Sequence, residues 1–385
     1  MKRFLCVFCV AVIAASLGFA QELKFDGYLN SGLGFYVDNI SGNEPYFRVM
    51  GVDSEQMGGR LRVNGAFTNA DKNAGANFRF QLQGSSVSNL NLGASYAYGW
   101  VKFFDMLQIK AGLVDDSVWE TAGAILKDDQ SEGAGILLRL TPVTGLDIGL
   151  GAFAWTQGSG SGNNAIGTPG AVRDWKQVKY TAMASYLMPD VFKINLSGRT
   201  FNGSGASTTA RALAEFRLLA VKDLTAIIEF EMNELYNDTD HFDRFSTNGK
   251  INLYETFAYK VGDFNFGLYA AQMFSNEAAH ADPGLRFNLW GSYALADGKL
   301  VPRLDAMFFL GGRLKTDRNY DRRTDVEPSY DSDNYIFSAR PSLKINLDSR
   351  NSFEIGDVIY YGKHNGVVTD AQLTNVFYLD FVLRF

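Results

Sequence analysis

The chain alternates apolar and polar residues over most of its length after Leu23. Runs of about ten residues are separated by turns or loops rich in Gly, Asn, Asp and Ser. In 76–83 (ANFRFQLQ), the two phenylalanines and the leucine share one face, while the arginine and the two glutamines share the other. The runs 192–199 and 335–347 follow the same rule. This period of two predicts β-strands with one apolar and one polar face.

The connections between these runs alternate in length. Short ones lie at 70–74, 104–106, 142–145, 189–191, 221–223, 262–263, 296–299 and 348–351. Between them fall longer and more polar segments at 38–56, 84–91, 115–132, 158–174, 202–207, 237–249, 275–283, 314–333 and 362–372. Short turns at one end and long loops at the other are typical of outer-membrane β-barrels, with the turns in the periplasm and the loops outside.

The runs predict an all-β chain that forms a transmembrane antiparallel β-barrel of about 18 strands. The two faces mix in 92–103, 247–260 and 352–361, so a barrel of about 16 strands is the alternative. A secreted β-sandwich or β-solenoid would also alternate, but its strands would usually be about 5 or 6 residues long. The runs here approach the roughly 9 to 11 residues that a tilted membrane strand needs, which favours the membrane barrel.

The first 20 residues have the features of a secretory signal peptide. Lys2 and Arg3 precede an apolar run over 4–17, and the small-x-small residues 18–20 end it. This order predicts an exported chain from which 1–20 are removed, so that 21–385 form the barrel.

Composition narrows the chemistry further. Both cysteines of the chain fall inside the predicted leader, so we expect no disulfide, metal thiolate or cysteine nucleophile in the mature protein. The formal net charge of -6 gives no reason to expect a nucleic-acid partner. His241, His280 and His364 all fall in predicted outer loops. We therefore expect neither an enzyme nor a bound metal or cofactor.

The last strand carries the most specific motif. In NVFYLDFVLRF, alternate positions are apolar and the chain ends in an aromatic residue: Phe377, Leu379, Phe381, Leu383 and Phe385. This pattern resembles the C-terminal assembly signal of bacterial outer-membrane proteins. The resemblance implies an outer-membrane location, contact with outer-membrane lipids, and insertion by the barrel-assembly machinery.

The segment 115–132 is a second point of resemblance. It is a long acidic loop after the fifth predicted strand, and it resembles the loop of general porins that folds into the lumen and narrows it. An ordinary solvated outer loop is the alternative, because several other outer loops are as long. The layout of 21–385 as a whole is similar to the bacterial outer-membrane porin family, which implies a passive channel and assembly as a homotrimer.

If the apolar faces meet lipid, the polar faces line the lumen. The basic residues that we expect to line the pore are Arg60, Arg62, Arg79, Lys110, Arg139, Arg199 and Arg340. The acidic residues that we expect on the constriction loop are Asp115, Asp116 and Glu120. Arg60, Arg62 and Arg79 lie on adjacent strands, and we expect Asp116 and Glu120 opposite them, with a transverse field between the two groups. Alternatively, these charges pair between neighbouring strands and fill the barrel without serving transport.

These patterns predict a porin-like passive channel for small polar or anionic solutes. The alternative is a non-conducting outer-membrane barrel that acts through its outer loops as an adhesin or a structural protein. The loop 314–333 is large enough to bind a partner.

Overall fold

The computed structural model describes residues 20–38, 45–50, 60–83, 91–123, 131, 133–154, 178–202, 208–232, 251–274, 284–310, 335–363 and 372–385. Almost all of them belong to strands. Among these residues, no helix has the length and apolarity that crossing a bilayer requires.

The described strands are β1 (Ala20–Asp38), β2 (Tyr46–Met50), β3 (Arg60–Asn69), β4 (Ala74–Gln83), β5 (Asn91–Phe103), β6 (Leu107–Val114), β7 (Gly133–Val143), β8 (Leu146–Ala154), β9 (Val178–Met188), β10 (Phe192–Asn202), β11 (Thr208–Leu218), β12 (Leu224–Met232), β13 (Ile251–Val261), β14 (Phe264–Phe274), β15 (Gly284–Tyr293), β16 (Leu300–Leu310), β17 (Tyr335–Asn346), β18 (Ser352–Lys363) and β19 (Gln372–Arg384). A short 3-10 helix spans Ser117–Trp119.

The strands form one closed antiparallel sheet in which neighbours in sequence are neighbours in the barrel. Strands β2 and β3 pair with successive parts of β1, at 32–36 and 20–30, so together they make one barrel strand. The barrel therefore has 18 strands, which confirms the predicted number and excludes 16. Below, the end with the short connections is called the turn end, and the other the loop end.

The two faces of the sheet invert the usual distribution of polarity. Outward positions expose large apolar side chains, such as Leu289 (60%) and Leu150 (56%). Inward positions bury charged ones, such as Glu231 (1%) and Arg286 (3%). An apolar outer surface around a polar interior is the arrangement of a transmembrane barrel. Closure of the sheet leaves no strand with a free edge.

The C-terminal strand closes the barrel. Strand β19 pairs with β1 from Tyr28↔Arg384 to Asp38↔Thr374. At the turn end, Gly27 and Phe385 exchange both backbone hydrogen bonds at 3.1 Å. A Cβ at position 27 would lie 2.5 Å from the Phe385 ring, so glycine allows the ring to cover the first strand. The residues of the predicted assembly signal lie on the outward face, where Phe377, Phe381, Leu383 and Phe385 are exposed and Leu379 is partly buried.

The short connections are tight hairpins. Phe104 and Asp105 both have positive φ, 52° and 56°, as the favoured two-residue turns between twisted strands require. In the 347–351 turn, Asp348 accepts hydrogen bonds from the backbone N–H groups of Arg350 (2.7 Å) and Asn351 (2.8 Å). These bonds favour the charged carboxylate and lower the pKa of Asp348.

Candidate functional site

The lumen is occupied in part by the segment that follows β6. This strand has only 8 residues, so the chain leaves the wall early. The Asp116 side chain caps the 3-10 helix by accepting from the backbone N–H of Val118 (3.4 Å). Ser131 donates its hydroxyl to the Asp116 carbonyl (2.8 Å), which holds the two ends of the loop together. Residues 124–130 and 132 of the predicted loop 115–132 lie outside the described residues.

Trp119 anchors the segment to the inner wall. Its side chain is 1% exposed and packs in a buried cluster formed by inward residues of β5 to β9, namely Tyr98, Val114, Leu137, Phe153 and Met183. The ring lies over Gly149 of β8, where a Cβ would come within 2.8 Å of two ring carbons. Glycine at this position therefore makes the seat for the indole.

On both sides of Trp119, wall side chains bind the backbone of the segment. Lys193 of β10 donates to the carbonyl of Val118 (2.9 Å), and Arg217 of β11 donates to the carbonyl of Glu120 (2.8 Å). We call the next pair of carboxylates, Glu215 of β11 and Glu229 of β12, the acidic latch.

The acidic latch accepts two consecutive backbone N–H groups. Ala122 donates to Glu215 (2.6 Å) and Gly123 donates to Glu229 (3.2 Å). A side chain at position 123 would overlap the Glu229 carboxyl, so a glycine is needed there. Cations thus bind carbonyls and carboxylates bind amides, and the segment follows the inner wall from β6 to β12.

The remaining inner wall carries arginines that lie over aromatic rings. The guanidinium carbon is 4.7 Å from the ring centre in Arg79–Tyr96 and 4.4 Å in Arg303–Trp290. The pairs Arg62–Tyr28 (5.6 Å) and Arg340–Tyr378 (5.0 Å) have the same arrangement. Attraction between a cation and a ring face orients each guanidinium.

Several of these cations also pair with carboxylates on the wall. Arg303 makes two bonds to Asp305 (2.6 and 2.7 Å), and Arg340 contacts Glu354 (3.2 Å). Arg139 binds Asp147 at 2.7 Å. Arg211 pairs with Glu231, and Arg217 with Glu215. Wall charge is therefore partly compensated between positions of the same or adjacent strands.

Six of the seven predicted pore-lining residues have inward side chains. Arg62, Arg79, Lys110, Arg139, Arg199 and Arg340 occupy inward positions. Arg60 begins β3, and its side chain lies outside the described residues. The three histidines also lie outside them.

The loop acids differ from the expected arrangement. Asp116 does not face Arg62 and Arg79 across the lumen, because it is 5% exposed and bonded to Lys110 at 2.6 Å. Its neighbour Asp115 comes nearest to Arg79, at 3.9 Å. Glu120 is exposed. Asp116 lies on the wall side because it both caps the 3-10 helix and compensates the buried Lys110.

Sequence reasoning missed Trp119 and the role of the acidic latch. Loop residues follow no periodic pattern, but a single tryptophan in a polar loop is a signal that the loop packs against the rest of the protein.

Several solved structures superpose on nearly the whole chain. OccK2 (OpdF) of Pseudomonas aeruginosa, solved with glucuronate, superposes with a TM-score of 0.61 at 11% identity, covering 95% of this chain and 99% of that one. The chain has the fold of the OprD-type outer-membrane porins. Pseudomonas aeruginosa OprD gives a TM-score of 0.57 at 12% identity, with 95% and 96% of the two chains covered. OpdK of the same organism, solved with vanillate, gives 0.56 at 11% identity, with 96% and 100% covered.

These identities establish the porin fold and carry no residue-by-residue correspondence. No protein-family model matches the chain, and no curated protein matches it.

Proposed function

We propose that the protein is a passive channel of the outer membrane for small polar or anionic solutes. The observation that carries this proposal is the interior of the closed barrel, which is lined by charged and polar side chains and narrowed by an inward segment. The interior of a barrel with no transport role could be filled by apolar side chains, whereas a polar wall suits a water-filled path.

The inward segment gives the channel two different sides. Residues 117–123 cover the wall at β7 to β12, where Trp119, Lys193, Arg217 and the acidic latch are used to hold them. The solute path then runs between this segment and the wall that carries Arg62, Arg79, Arg303 and Arg340. Fixed cations on that wall favour anions over cations of the same size.

The comparisons support the same solute class. OccK2 was solved with glucuronate and OpdK with vanillate, and both ligands are small anions. For this chain the class of small anionic solutes is inferred from the arginines of its own wall.

The porin resemblance extends the proposal to location and assembly. The leader 1–20 directs export, and the C-terminal signal ending in Phe385 is recognised by the barrel-assembly machinery. The outward apolar belt then contacts outer-membrane lipids. Assembly as a homotrimer follows from the resemblance to the porins.

Conductance in planar bilayers tests the proposal. The refolded protein should give large steady steps, and a salt gradient should reveal an anion preference. Replacing Arg79 and Arg340 together by glutamine should reduce that preference, because both lie on the proposed path. The matched control is Lys222→Gln in an exposed connection at the turn end, which should leave the preference unchanged.

Two results would count against the channel. A correctly folded barrel without conductance would favour the second candidate, an adhesin or structural barrel that acts through its outer loops. Equal loss of anion preference in the arginine variant and the Lys222 variant would contradict the proposed path.

A further inference from the structure

The two carboxyl groups of the acidic latch face each other on adjacent strands. Glu215 and Glu229 pair in register on β11 and β12. Both side chains point inward and are buried, with exposed fractions of 2% and 1%, and their carboxyl groups contact each other. Two negative charges in contact repel strongly where little water is present to screen them. Carboxyl groups in such a position are stable when they hold one proton between them.

Glu215 has the partners of an ionised carboxylate. Its Oε1 accepts from Nδ2 of Asn195 at 2.9 Å and also pairs with the guanidinium of Arg217. Its Oε2 accepts from the backbone N–H of Ala122 at 2.6 Å. A cation and several hydrogen-bond donors favour the charged form of a carboxyl group. Of the two members of the latch, Glu215 is therefore the one that carries the negative charge.

Glu229 has fewer partners in the part of the chain that the structure describes. Its Oε1 accepts from the backbone N–H of Gly123 at 3.2 Å, whereas its Oε2 is buried and receives no hydrogen bond. The neighbouring guanidinium of Arg211 pairs with Glu231 instead. A proton on Oε2 would give this oxygen a hydrogen to donate and would remove a buried charge that has no cation. The geometry therefore favours a neutral Glu229 beside an ionised Glu215.

Other ionisable groups face the acidic latch from the elements packed against it. They are Lys193 of β10, Arg211 and Arg217 of β11, Glu231 of β12, Tyr254 of β13 and Glu120 of the inward segment. Tyr254 is in register with Glu229 but donates its hydroxyl to Glu231 at 2.9 Å. In water, side chains of these types keep one charge state between about pH 5.5 and 8. The contact between the two latch carboxyl groups is therefore the place where a proton can bind in this range.

We propose that docking of the inward segment on the wall takes up one proton, which Glu229 holds against Glu215. In the docked state the latch then carries a single negative charge. When the segment leaves, water replaces it, and two hydrated carboxyl groups both ionise at neutral pH. The proton is released to the lumen, so the undocked state holds one proton fewer. This inference rests on the proposed function, because the segment narrows the proposed solute path.

The direction of the pH dependence follows from this proton count. Because the docked state holds one proton more, each rise of one pH unit shifts the balance toward the undocked state by about tenfold. The shift begins above about pH 5, where a carboxyl group in water is already ionised. Acid conditions should therefore keep the segment on the wall and the path narrow, whereas a rise in pH should release the segment and widen the path.

Cleavage after Glu120 by a glutamate-specific protease measures undocking at each pH, because the protease reaches this bond only when the segment leaves the barrel. The refolded protein is digested at several values between roughly pH 5.5 and 7.5. Each rate is divided by that of a free peptide of residues 115–124, which corrects for the pH dependence of the protease. The ratio should rise about tenfold per pH unit. Conductance under the same conditions should show a larger open level more often as the pH rises.

Glu229→Gln imitates the protonated carboxyl group, since the amide is neutral and keeps an acceptor oxygen. Its ratio should be independent of pH, and near pH 7.5 it should be at least about tenfold lower than that of the unmodified chain. A purely structural role of Glu229 would instead raise cleavage at every pH.

The matched control is Glu231→Gln, because this carboxyl group is equally buried on the same strand but pairs with Arg211. This variant should keep the dependence on pH. If it does not fold, Glu255→Gln on the outward face of β13 replaces it as the control. Heat-modifiable migration on gels verifies that each variant is a folded barrel.

The proposal is overturned if the cleavage ratio of the unmodified chain does not change with pH, or if Glu229→Gln keeps the original dependence. It is also overturned if the control substitution abolishes the dependence as Glu229→Gln does. Cleavage that follows pH in a barrel without conductance would reject the channel and leave the proton uptake standing. Conductance together with a cleavage ratio that is independent of pH would reject the proton uptake and leave the channel standing.

Discussion

Trp119→Ala should release the inward segment from the wall of the barrel. The indole is 1% exposed, lies over Gly149 of β8 and belongs to a buried cluster whose other members come from β5 to β9. The substitution leaves the 3-10 helix cap at Asp116 and the bonds of the acidic latch in place. It therefore removes the apolar part of the docking energy and little else.

The size of the effect follows from the burial. A fully buried tryptophan truncated to alanine typically costs about 3 to 5 kcal/mol. At about 1.4 kcal/mol per factor of ten, the ratio of undocked to docked segment should rise by at least about 100-fold. The four hydrogen bonds to the wall, each worth roughly 1 to 3 kcal/mol, keep the docked state from disappearing.

Limited proteolysis measures that ratio. A glutamate-specific protease is too large to enter the barrel, so cleavage after Glu120 requires the segment to leave the lumen. When opening and closing are fast, the cleavage rate follows the open population, so it should rise about 100-fold in Trp119→Ala. Single-channel traces should become noisier with a larger open level. Trp290→Ala is the matched control, because this tryptophan is also buried and inward (8% exposed) but lies on β15.

An unchanged cleavage rate in Trp119→Ala, or an equal rise in both tryptophan variants, would refute the anchoring role.

Three further outcomes are expected. Gly149→Ala should raise cleavage after Glu120 as Trp119→Ala does, because its Cβ would lie 2.8 Å from the indole, whereas Gly99→Ala, with its nearest neighbour at 3.8 Å, should not. Glu215→Gln should raise that cleavage about tenfold, since a charge-assisted hydrogen bond is worth roughly 1.5 to 3 kcal/mol; no change would mean that the bond from Ala122 to Glu215 is dispensable. Phe385→Ala should lower the yield of folded barrel in the outer membrane while Phe385→Tyr preserves it, as heat-modifiable migration on gels can show; equal yields would argue against the assembly signal.

The period-two pattern was sufficient to predict the barrel because each strand has two different surroundings, lipid and lumen. Where the pattern weakened, the structure gives a local cause. In β5 the register shifts between Arg79 and Phe80 of the partner strand, so Ser95 is an extra residue that moves the following side chains to the other face. In β13 and β18 the mixing comes from the outward acids Glu255 and Asp357. The three ambiguous runs are therefore a bulge and two polar positions in the apolar belt.

The candidate site was less predictable than the barrel. Parity along a strand tells which side chains point inward, as those of Lys110 and Arg139 do. It does not tell which inward charges meet, because that depends on register between strands and on the path of a loop. Asp116 illustrates the limit: its pairing with Lys110 follows from the turn that begins the 3-10 helix, and no periodic pattern encodes that turn.

The inward charges serve two separate purposes, so the number of inward basic residues alone does not indicate the electric field in the lumen. On β10 to β12, the cations Lys193 and Arg217 and the carboxylates of the acidic latch bind the backbone of the inward segment, so they contribute little field to the lumen. Lys193 and Arg217 occupy inward positions, yet they are held against the segment and do not face solutes. The selectivity of the pore should instead depend on arginines outside this region, such as Arg79, whose guanidinium is oriented by Tyr96 and whose carboxylate contact among the described residues is with Asp115 at 3.9 Å. Charge reversal at Arg79 should therefore change ion preference, whereas the same reversal at Lys193 should first undock the segment.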